Sequence, residues 1–312
     1  MISRTLWWLA LAFVFASPNT RAQPAAASAA ETAPAKPPPR SSAEILAASA
    51  PTDWRDLVAD STLVMELPSG TVVLELATDF APRHAANIRQ LVRAGYFDGL
   101  AIIRVQENYV TQWGDPAEDD AKAKPKPADL PKVPAEFDRA LAGLKLTVLP
   151  DKDPWAPRVG FANGFPVAAD PKTGRAWLPH CNGIVGAGRG DAMDSSDGSS
   201  LYVAIGHSPR GLDLNITTVG RVVQGMERLS ALPRGTGTLG FYEKPAQQTP
   251  IARVRLLADI AASERPKLQL LRTDTKTWAA WLDSRRNRSG WFVHNPGRVD
   301  LCSVLPPVRT AP

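Results

Sequence analysis

Residues 70–115 constrain the fold more than any other stretch of this chain. They read GTVVLELATDFAPRHAANIRQLVRAGYFDGLAIIRVQENYVTQWGD. The β-branched run Thr71–Ala77 predicts a strand that forms a hairpin with Thr62–Leu67 across a Pro-Ser-Gly turn. Pro82 suits the first turn of a helix, and apolar residues recur at helical spacing until Gly95. The order is therefore strand, strand, helix.

Further strand-like runs follow along the chain, separated by turn residues. The predicted strands are Leu100–Gln106, Tyr109–Trp113, Gly183–Ala187, Leu201–Ile205, Ile216–Val223 and Ile251–Ile260. A second, short helix is predicted over Gln224–Leu232. Many short strands with two helices indicate a mainly β protein. We expect a closed antiparallel β-barrel of about eight strands capped by two helices, because closure removes exposed strand edges.

We expect the barrel to span residues 53–262 with an insertion. Two segments of the chain are not part of a plain barrel. Residues 116–180 form a long insertion whose first part, 117–134, is charged and proline-rich and predicts an exposed loop. Glycine, proline and aromatic residues mix in the remainder, which predicts an ordered but irregular segment with short strands. Residues 263–312 predict a small α+β C-terminal extension with a strand at Leu268–Leu271 and a helix at Thr275–Arg286.

The N-terminus has the pattern of an export signal. Arg4 precedes an apolar run, Leu6–Ala16, and small residues follow, which predicts a signal peptide over residues 1–22. The run has 11 residues, whereas a bilayer-spanning helix needs about 20; an uncleaved anchor is the alternative. Residues 23–52 are rich in alanine and proline and predict a disordered linker. We expect a periplasmic protein without stable membrane insertion after signal cleavage.

Composition argues against several classes of partner. Residues 1–22 contain two arginines and no acid, so the charge of the remainder is 34 − 31 = +3. No dense Lys/Arg block accompanies this charge, and we therefore expect no nucleic-acid partner.

The four histidines lack ligand-like spacing, so we predict neither a metal nor another cofactor. Cys181 and Cys302 are either a disulfide or two buried thiols. We expect a monomer.

One group of residues could do chemistry without a nucleophile. Arg104 lies in an apolar strand and is followed by Tyr109, Val110, Gln112 and Gly114-Asp115. This order resembles the cyclophilin-type peptidyl-prolyl cis/trans isomerases. Rotation about an amide bond has a barrier of about 18–20 kcal/mol, since resonance keeps the bond planar. A fixed guanidinium that donates to the prolyl nitrogen would stabilise the twisted amide.

The resemblance extends to Gly183-Ile184-Val185, Gly198-Ser199 and the stretch Gly220–Met226. It implies that Arg104 is the catalytic residue and that the substrate is a proline-containing unfolded or extended polypeptide. By the same resemblance, the residues that bind the peptide are Tyr109, Val110, Gln112, Gly188, Ser200, Tyr202 and Leu212.

Several positions depart from the family pattern and leave alternatives open. These positions are Ile103, Gly188-Arg189, Ser200, Gly211 and Ile216. One alternative is therefore a catalytically weak, peptide-binding chaperone or assembly module. Another is a structural barrel whose insertion and C-terminal tail dock a partner, in which the 116–180 segment would cover Arg104.

Overall fold

A computed structural model describes residues 40–117, 121–288 and 290–311. The predicted signal peptide at 1–22 and the first part of the predicted linker, 23–39, lie outside the described residues. Within the described ranges, no helix combines the length and the apolar character needed to cross a membrane.

The strands are short and are numbered in chain order. They are β1 Trp54–Asp56, β2 Thr62–Leu67, β3 Gly70–Leu76, β4 Ala101–Val105, β5 Val110–Gly114, β6 Arg139–Ala140, β7 Thr147–Leu149, β8 Arg158–Ala162, β9 Phe165–Asp170, β10 Arg175–Trp177, β11 Ile184–Ala187, β12 Leu201–Ala204, β13 Thr218–Gln224, β14 Thr249–Pro250, β15 Arg253–Leu256, β16 Leu268–Leu271 and β17 Val308–Thr310. The α-helices are α1 Ser42–Ala47, α2 Pro82–Arg93, α3 Met226–Ser230 and α4 Lys276–Arg286.

The main sheet is a curled, antiparallel half-barrel of nine strands in the order β14-β4-β5-β12-β11-β13-β3-β2-β15. The prediction of a mainly β fold is confirmed, but the closed barrel of about eight strands is wrong. The two end strands follow each other along the chain and do not pair with each other. Pro250, at the end of β14, has no N–H to donate to a ladder, and the pairing partner changes beyond it from β4 to β2.

Helix α2 covers one side of the main core, as the periodicity predicts. Ala85, Ile88 and Leu91 are fully buried against the sheet. The helix has no capping side chain of its own. Instead, the carboxylate of Glu136 in the insertion accepts hydrogen bonds from the N–H groups of Arg83 (3.1 Å) and His84 (3.0 Å). These bonds satisfy two of the backbone donors that every helix start leaves free.

The insertion is more regular than the sequence analysis predicts. It forms a five-stranded antiparallel sheet in the order β6-β10-β9-β8-β7. Its central hairpin, β8–β9, turns at Asn163-Gly164, where both residues have positive φ angles (48° and 80°). An Asn-Gly pair between strand-like runs is a strong hairpin signal. The prediction of an irregular segment was therefore wrong because the many glycines and prolines obscured this turn.

The C-terminal extension forms a third sheet together with residues from before the main sheet. Its order is β1-β16-β17, and α1 packs against α4. The Ser41 hydroxyl caps α1 by accepting from the N–H of Glu44 (3.2 Å). The structure thus differs from the predicted linker boundary at residue 52, because Ile45 and Trp54 join a tryptophan-rich core with α4. Cys181 and Cys302 form a disulfide with an S–S distance of 2.01 Å.

Candidate active site

A cleft of about 590 Å³ lies over four adjacent strands of the main sheet, β4, β5, β12 and β11. All eight residues that the sequence analysis assigned to catalysis or peptide binding line it: Arg104, Tyr109, Val110, Gln112, Gly188, Ser200, Tyr202 and Leu212. The order of the strands explains this convergence. β5 lies between β4 and β12, and β11 follows β12, so residues distant in sequence become neighbours.

Arg104 is held in place by acceptors on its strand and its neighbours. A register shift in the β4–β5 ladder places it opposite Gln112. Its Nε donates to the Leu239 carbonyl (2.7 Å), its Nη1 donates to Gln112 Oε1 (3.1 Å), and its Nη2 donates to Gln106 Oε1. Partial burial lowers the pKa of Arg104, an effect that Tyr109 and Tyr202 oppose. An arginine nevertheless keeps its charge in proteins.

Gln112 connects Arg104 to the opposite side of the cleft. Its Nε2 donates to the Ser200 hydroxyl (3.1 Å), while its Oε1 accepts from Arg104. Gly188 leaves this side open, because a Cβ at that position would lie 3.1 Å from Ser200 Oγ and 3.5 Å from Gln112 Nε2. The amide of Gln112 thus has a fixed orientation at the centre of the site.

Tyr202 is the buried base of the cleft, and its hydroxyl is part of a polar chain. The hydroxyl lies 2.7 Å from His180 Nε2, and His180 Nδ1 lies 3.0 Å from Asp213 Oδ1. Arg210 Nε donates to Asp213 Oδ2 (2.9 Å), and the same guanidinium pairs with Asp153 (3.0 Å). The chain runs inward from the cleft and joins β12 to the insertion.

The charges of the groups in this polar chain determine which atoms donate and which accept a hydrogen bond. Burial alone would raise the pKa of Asp213, but the hydrogen bond from His180 and the charge of Arg210 outweigh it, and the pKa is lowered. Asp213 is therefore a carboxylate that only accepts, so Nδ1 of His180 carries a proton towards it. Burial raises the pKa of Tyr202 well above its usual value. Tyr202 is therefore a neutral phenol, whose hydroxyl shares a hydrogen bond with His180 Nε2.

Several residues that shape this site were not predicted from the sequence. His180 and Asp213 carry no local signal, since His180 lies 22 positions from Tyr202 and 33 positions from Asp213. Gly186 is required by packing, because a Cβ there would lie 2.3 Å from the Tyr202 hydroxyl oxygen. Leu239 lines the cleft from a loop after α3 that showed no pattern.

The same loop brings the Phe241 ring to 5.3 Å from the guanidinium carbon of Arg104; the Tyr109 ring lies at 5.7 Å. In the described part of the chain, the contacts of Arg104 come from its own strand, from β5 and from this loop. The insertion contributes Lys126 to the cleft lining. The Nζ of Lys126 lies 2.7 Å from Asp197 Oδ2. Among the described residues, the insertion forms none of these contacts with Arg104, which argues against the alternative in which it covers this residue.

The chain resembles known proteins in sequence and in fold. A sequence model of the family described as "Cyclophilin type peptidyl-prolyl cis-trans isomerase/CLD" matches residues 62–256. The chain belongs to this family. Its relatives include a "Probable peptidyl-prolyl cis-trans isomerase" of Brucella suis, 26% identical over 57% of this chain and 74% of that protein. A "Peptidyl-prolyl cis-trans isomerase-like 1" of Gibberella zeae is 25% identical over 64% of this chain and 96% of that protein.

Among solved structures, the cyclophilin AquaCyp293 from Hirschia baltica has a TM-score of 0.66 and 28% identity. The similarity covers 82% of this chain and 92% of that one. The family resemblance inferred from the sequence is thus confirmed, and the protein is a peptidyl-prolyl isomerase of the cyclophilin type. In this cyclophilin, among the described residues, no group of three or more His, Cys, Asp and Glu side chains could hold a metal ion.

Proposed function

We propose that this cyclophilin isomerises X–Pro bonds of unfolded or extended proteins that have been exported to the periplasm. Arg104 is the catalytic residue in this proposal. Three of its five N–H donors are used by Leu239, Gln112 and Gln106, and one N–H on each terminal nitrogen has no partner among the described residues. The observation that carries the proposal is this rigidly held guanidinium with two unpaired N–H donors.

The proposed mechanism needs only positioning and electrostatics. The proline ring lies against Tyr109, Val110 and Leu212, which provide apolar surface at the cleft. The backbone of the peptide bonds to the fixed amide of Gln112. As the amide twists, its nitrogen becomes pyramidal and regains a lone pair, to which Arg104 donates. This interaction exists only in the twisted state, so it lowers the barrier rather than merely strengthening binding.

Export of this protein is supported by two features. The pattern of residues 1–22 is that of a signal peptide. The Cys181–Cys302 disulfide suits an oxidising compartment such as the periplasm. Fractionation of cells that express the full chain should place the protein in the periplasm, with an N-terminus at Gln23. Recovery in the cytoplasm with an intact N-terminus would contradict this part of the proposal.

Catalysis is tested by the variant Arg104→Ala in an isomerisation assay on short X–Pro peptides. We expect kcat/KM to fall by about 10²–10³-fold, as for the loss of one transition-state donor in other enzymes. Arg104→Lys should recover little, since an ammonium cannot reproduce the guanidinium geometry. Arg83→Ala is the matched control, because Arg83 is exposed and does not line the cleft.

A catalytically weak, peptide-binding module is the second candidate. It is favoured by the short Ser200 side chain and the absence of a side chain at Gly211, both of which reduce contact with a bound peptide. Peptide binding that persists in Arg104→Ala, together with a wild type that shows no turnover, would support the module and overturn the proposed role of Arg104.

A further inference from the structure

The segment between α4 and β17 exposes apolar side chains that the proposed function does not use. Trp291 is 87% exposed, Val293 is 104% exposed and Phe292 is 39% exposed. They are consecutive, and none of them lines the active-site cleft. Adjacent exposed apolar residues of this size are unusual on a soluble surface and mark a site of interaction. We call Trp291–Val293 the apolar tip.

Three arginines lie next to the apolar tip. Arg285, Arg288 and Arg298 line a cavity of about 270 Å³ together with Phe292 and His294. In the described part of the chain none of the three forms an ion pair, whereas the neighbouring Arg286 pairs with Asp151 at 2.6 Å. We call Arg285, Arg288 and Arg298 the arginine cluster.

Arg285 is the member of the arginine cluster whose environment disfavours its positive charge. The buried Nε of Arg285 has no hydrogen-bond partner. Burial and the charge of Arg288 lower the pKa of Arg285. The carboxylate of Asp300 also lines the cavity, but it accepts from the N–H of Cys302 (2.9 Å) and caps a turn. The cluster therefore has unused donors and an excess of charge that an external anion would neutralise.

We propose that the apolar tip and the arginine cluster together bind the surface of an anionic lipid bilayer. Tryptophan with neighbouring apolar residues favours the interface between headgroups and acyl chains. Arginines beside them would contact the headgroup phosphates. A bilayer fits better than an acidic protein, because Trp291 and Val293 are almost fully exposed outside the cavity and can enter the headgroup region together. The disulfide at Cys302 and helix α4 fix the two ends of the segment.

The test uses the protein as purified after export and vesicles of phosphatidylcholine with and without phosphatidylglycerol. We expect cosedimentation with the anionic vesicles, weakening at high salt, and little with phosphatidylcholine alone. Arg288→Gln/Arg298→Gln should lower the partition coefficient about fivefold per arginine removed. Trp291→Ser/Val293→Ser should lower it at least about tenfold, since two interfacial side chains are lost.

Matched controls separate this surface from general charge and hydrophobicity. Arg83→Gln/Arg158→Gln removes the same charge from exposed arginines elsewhere. Trp155→Ser/Val148→Ser removes an exposed tryptophan and valine of 54% and 52% exposure. All variants share one N-terminus, so any contribution of that segment cancels. Isomerase activity of the tip and cluster variants should stay at the wild-type level. Equal losses in the controls, no binding to anionic vesicles, or binding to polyglutamate in place of vesicles would each overturn the proposal.

Discussion

Replacement of Glu75 by glutamine is expected to destabilise this cyclophilin strongly. Glu75 lies on β3, directly opposite Arg221 on β13, and both side chains are only 5% exposed. Its carboxylate accepts from Arg221 Nη2 (2.8 Å) and Nε (3.1 Å) and from Arg55 Nη2 (2.9 Å). The two arginines also donate to the carbonyls of Asn163 and Gly164 in the β8–β9 turn. This triad therefore joins the main sheet, β1 and the insertion.

The magnitude follows from what the substitution leaves behind. Glutamine keeps one acceptor oxygen, but its NH₂ group faces arginine donors and the triad is left with two positive charges. Removal of one partner from a buried ion pair costs about 3–5 kcal/mol. Because the remaining amide oxygen still accepts and Arg55 is partly exposed, we expect the lower end, about 3 kcal/mol. This corresponds to a decrease in melting temperature of roughly 6–12 °C.

Urea unfolding followed by tryptophan fluorescence would measure the loss. Arg221→Met in the Glu75→Gln background should restore at least half of it, since it removes the uncompensated buried cation. A loss below about 1 kcal/mol for Glu75→Gln, or no recovery in the double variant, would refute the reasoning from the buried triad.

The difference in stability between wild type and Glu75→Gln should depend on pH, and the direction follows from the pKa of Glu75. Burial alone would raise the pKa of Glu75, but Arg221 and Arg55 outweigh it, and the pKa is lowered. A lowered pKa in the folded state means that the carboxylate stabilises the fold fully above its unfolded pKa of about 4.3. That contribution is lost as the pH falls through the folded pKa. The difference in stability between wild type and Glu75→Gln should thus narrow below about pH 4.

Three further outcomes are expected. Cys181→Ser/Cys302→Ser should lower the free energy of unfolding by about 5 kcal/mol in the entropic model, because the disulfide closes a loop of 121 residues. An unfolding midpoint of the wild type that is the same with and without reductant would contradict this prediction. Glu136→Gln should cost about 1 kcal/mol at neutral pH through weaker capping of α2, measured by urea unfolding. Gly186→Ala should lower kcat/KM in the peptide assay at least about tenfold, since its Cβ displaces the Tyr202 ring; wild-type turnover would show that the ring position does not matter.

The parts of this molecule that could be predicted from sequence are those with a local pattern. Thr62–Leu67 and the helix at Pro82 follow from strand and helix periodicity, and both occur as predicted. Arg104 and Gln112 could be assigned to one site because they lie eight positions apart on paired strands. The β8–β9 hairpin was also accessible, since Asn163-Gly164 is a turn signal, but its glycine-rich surroundings hid it.

The parts that could not be predicted depend on partners far apart in the chain. Glu136 caps α2 across 52 positions, and Arg221 pairs with Glu75 across 146. No periodicity connects such residues, because the first pair joins the insertion to α2 and the second joins two neighbouring strands that are far apart in the chain. Single charged residues in an apolar strand, such as Glu75 in TVVLELA, indicate that a partner must exist but not which residue it is.

The base of the active site illustrates the same limit most sharply. A tyrosine at a fully buried position needs a hydrogen-bond partner, so Tyr202 by itself requires one. The partner, His180, lies outside the strands that carry the other site residues and is oriented by Asp213 from a further loop. Strand order therefore determines which side chains of β4, β5 and β12 line the cleft, whereas the loops that fold behind it determine how those side chains are fixed. A sequence pattern reports the first, and only the tertiary structure reports the second.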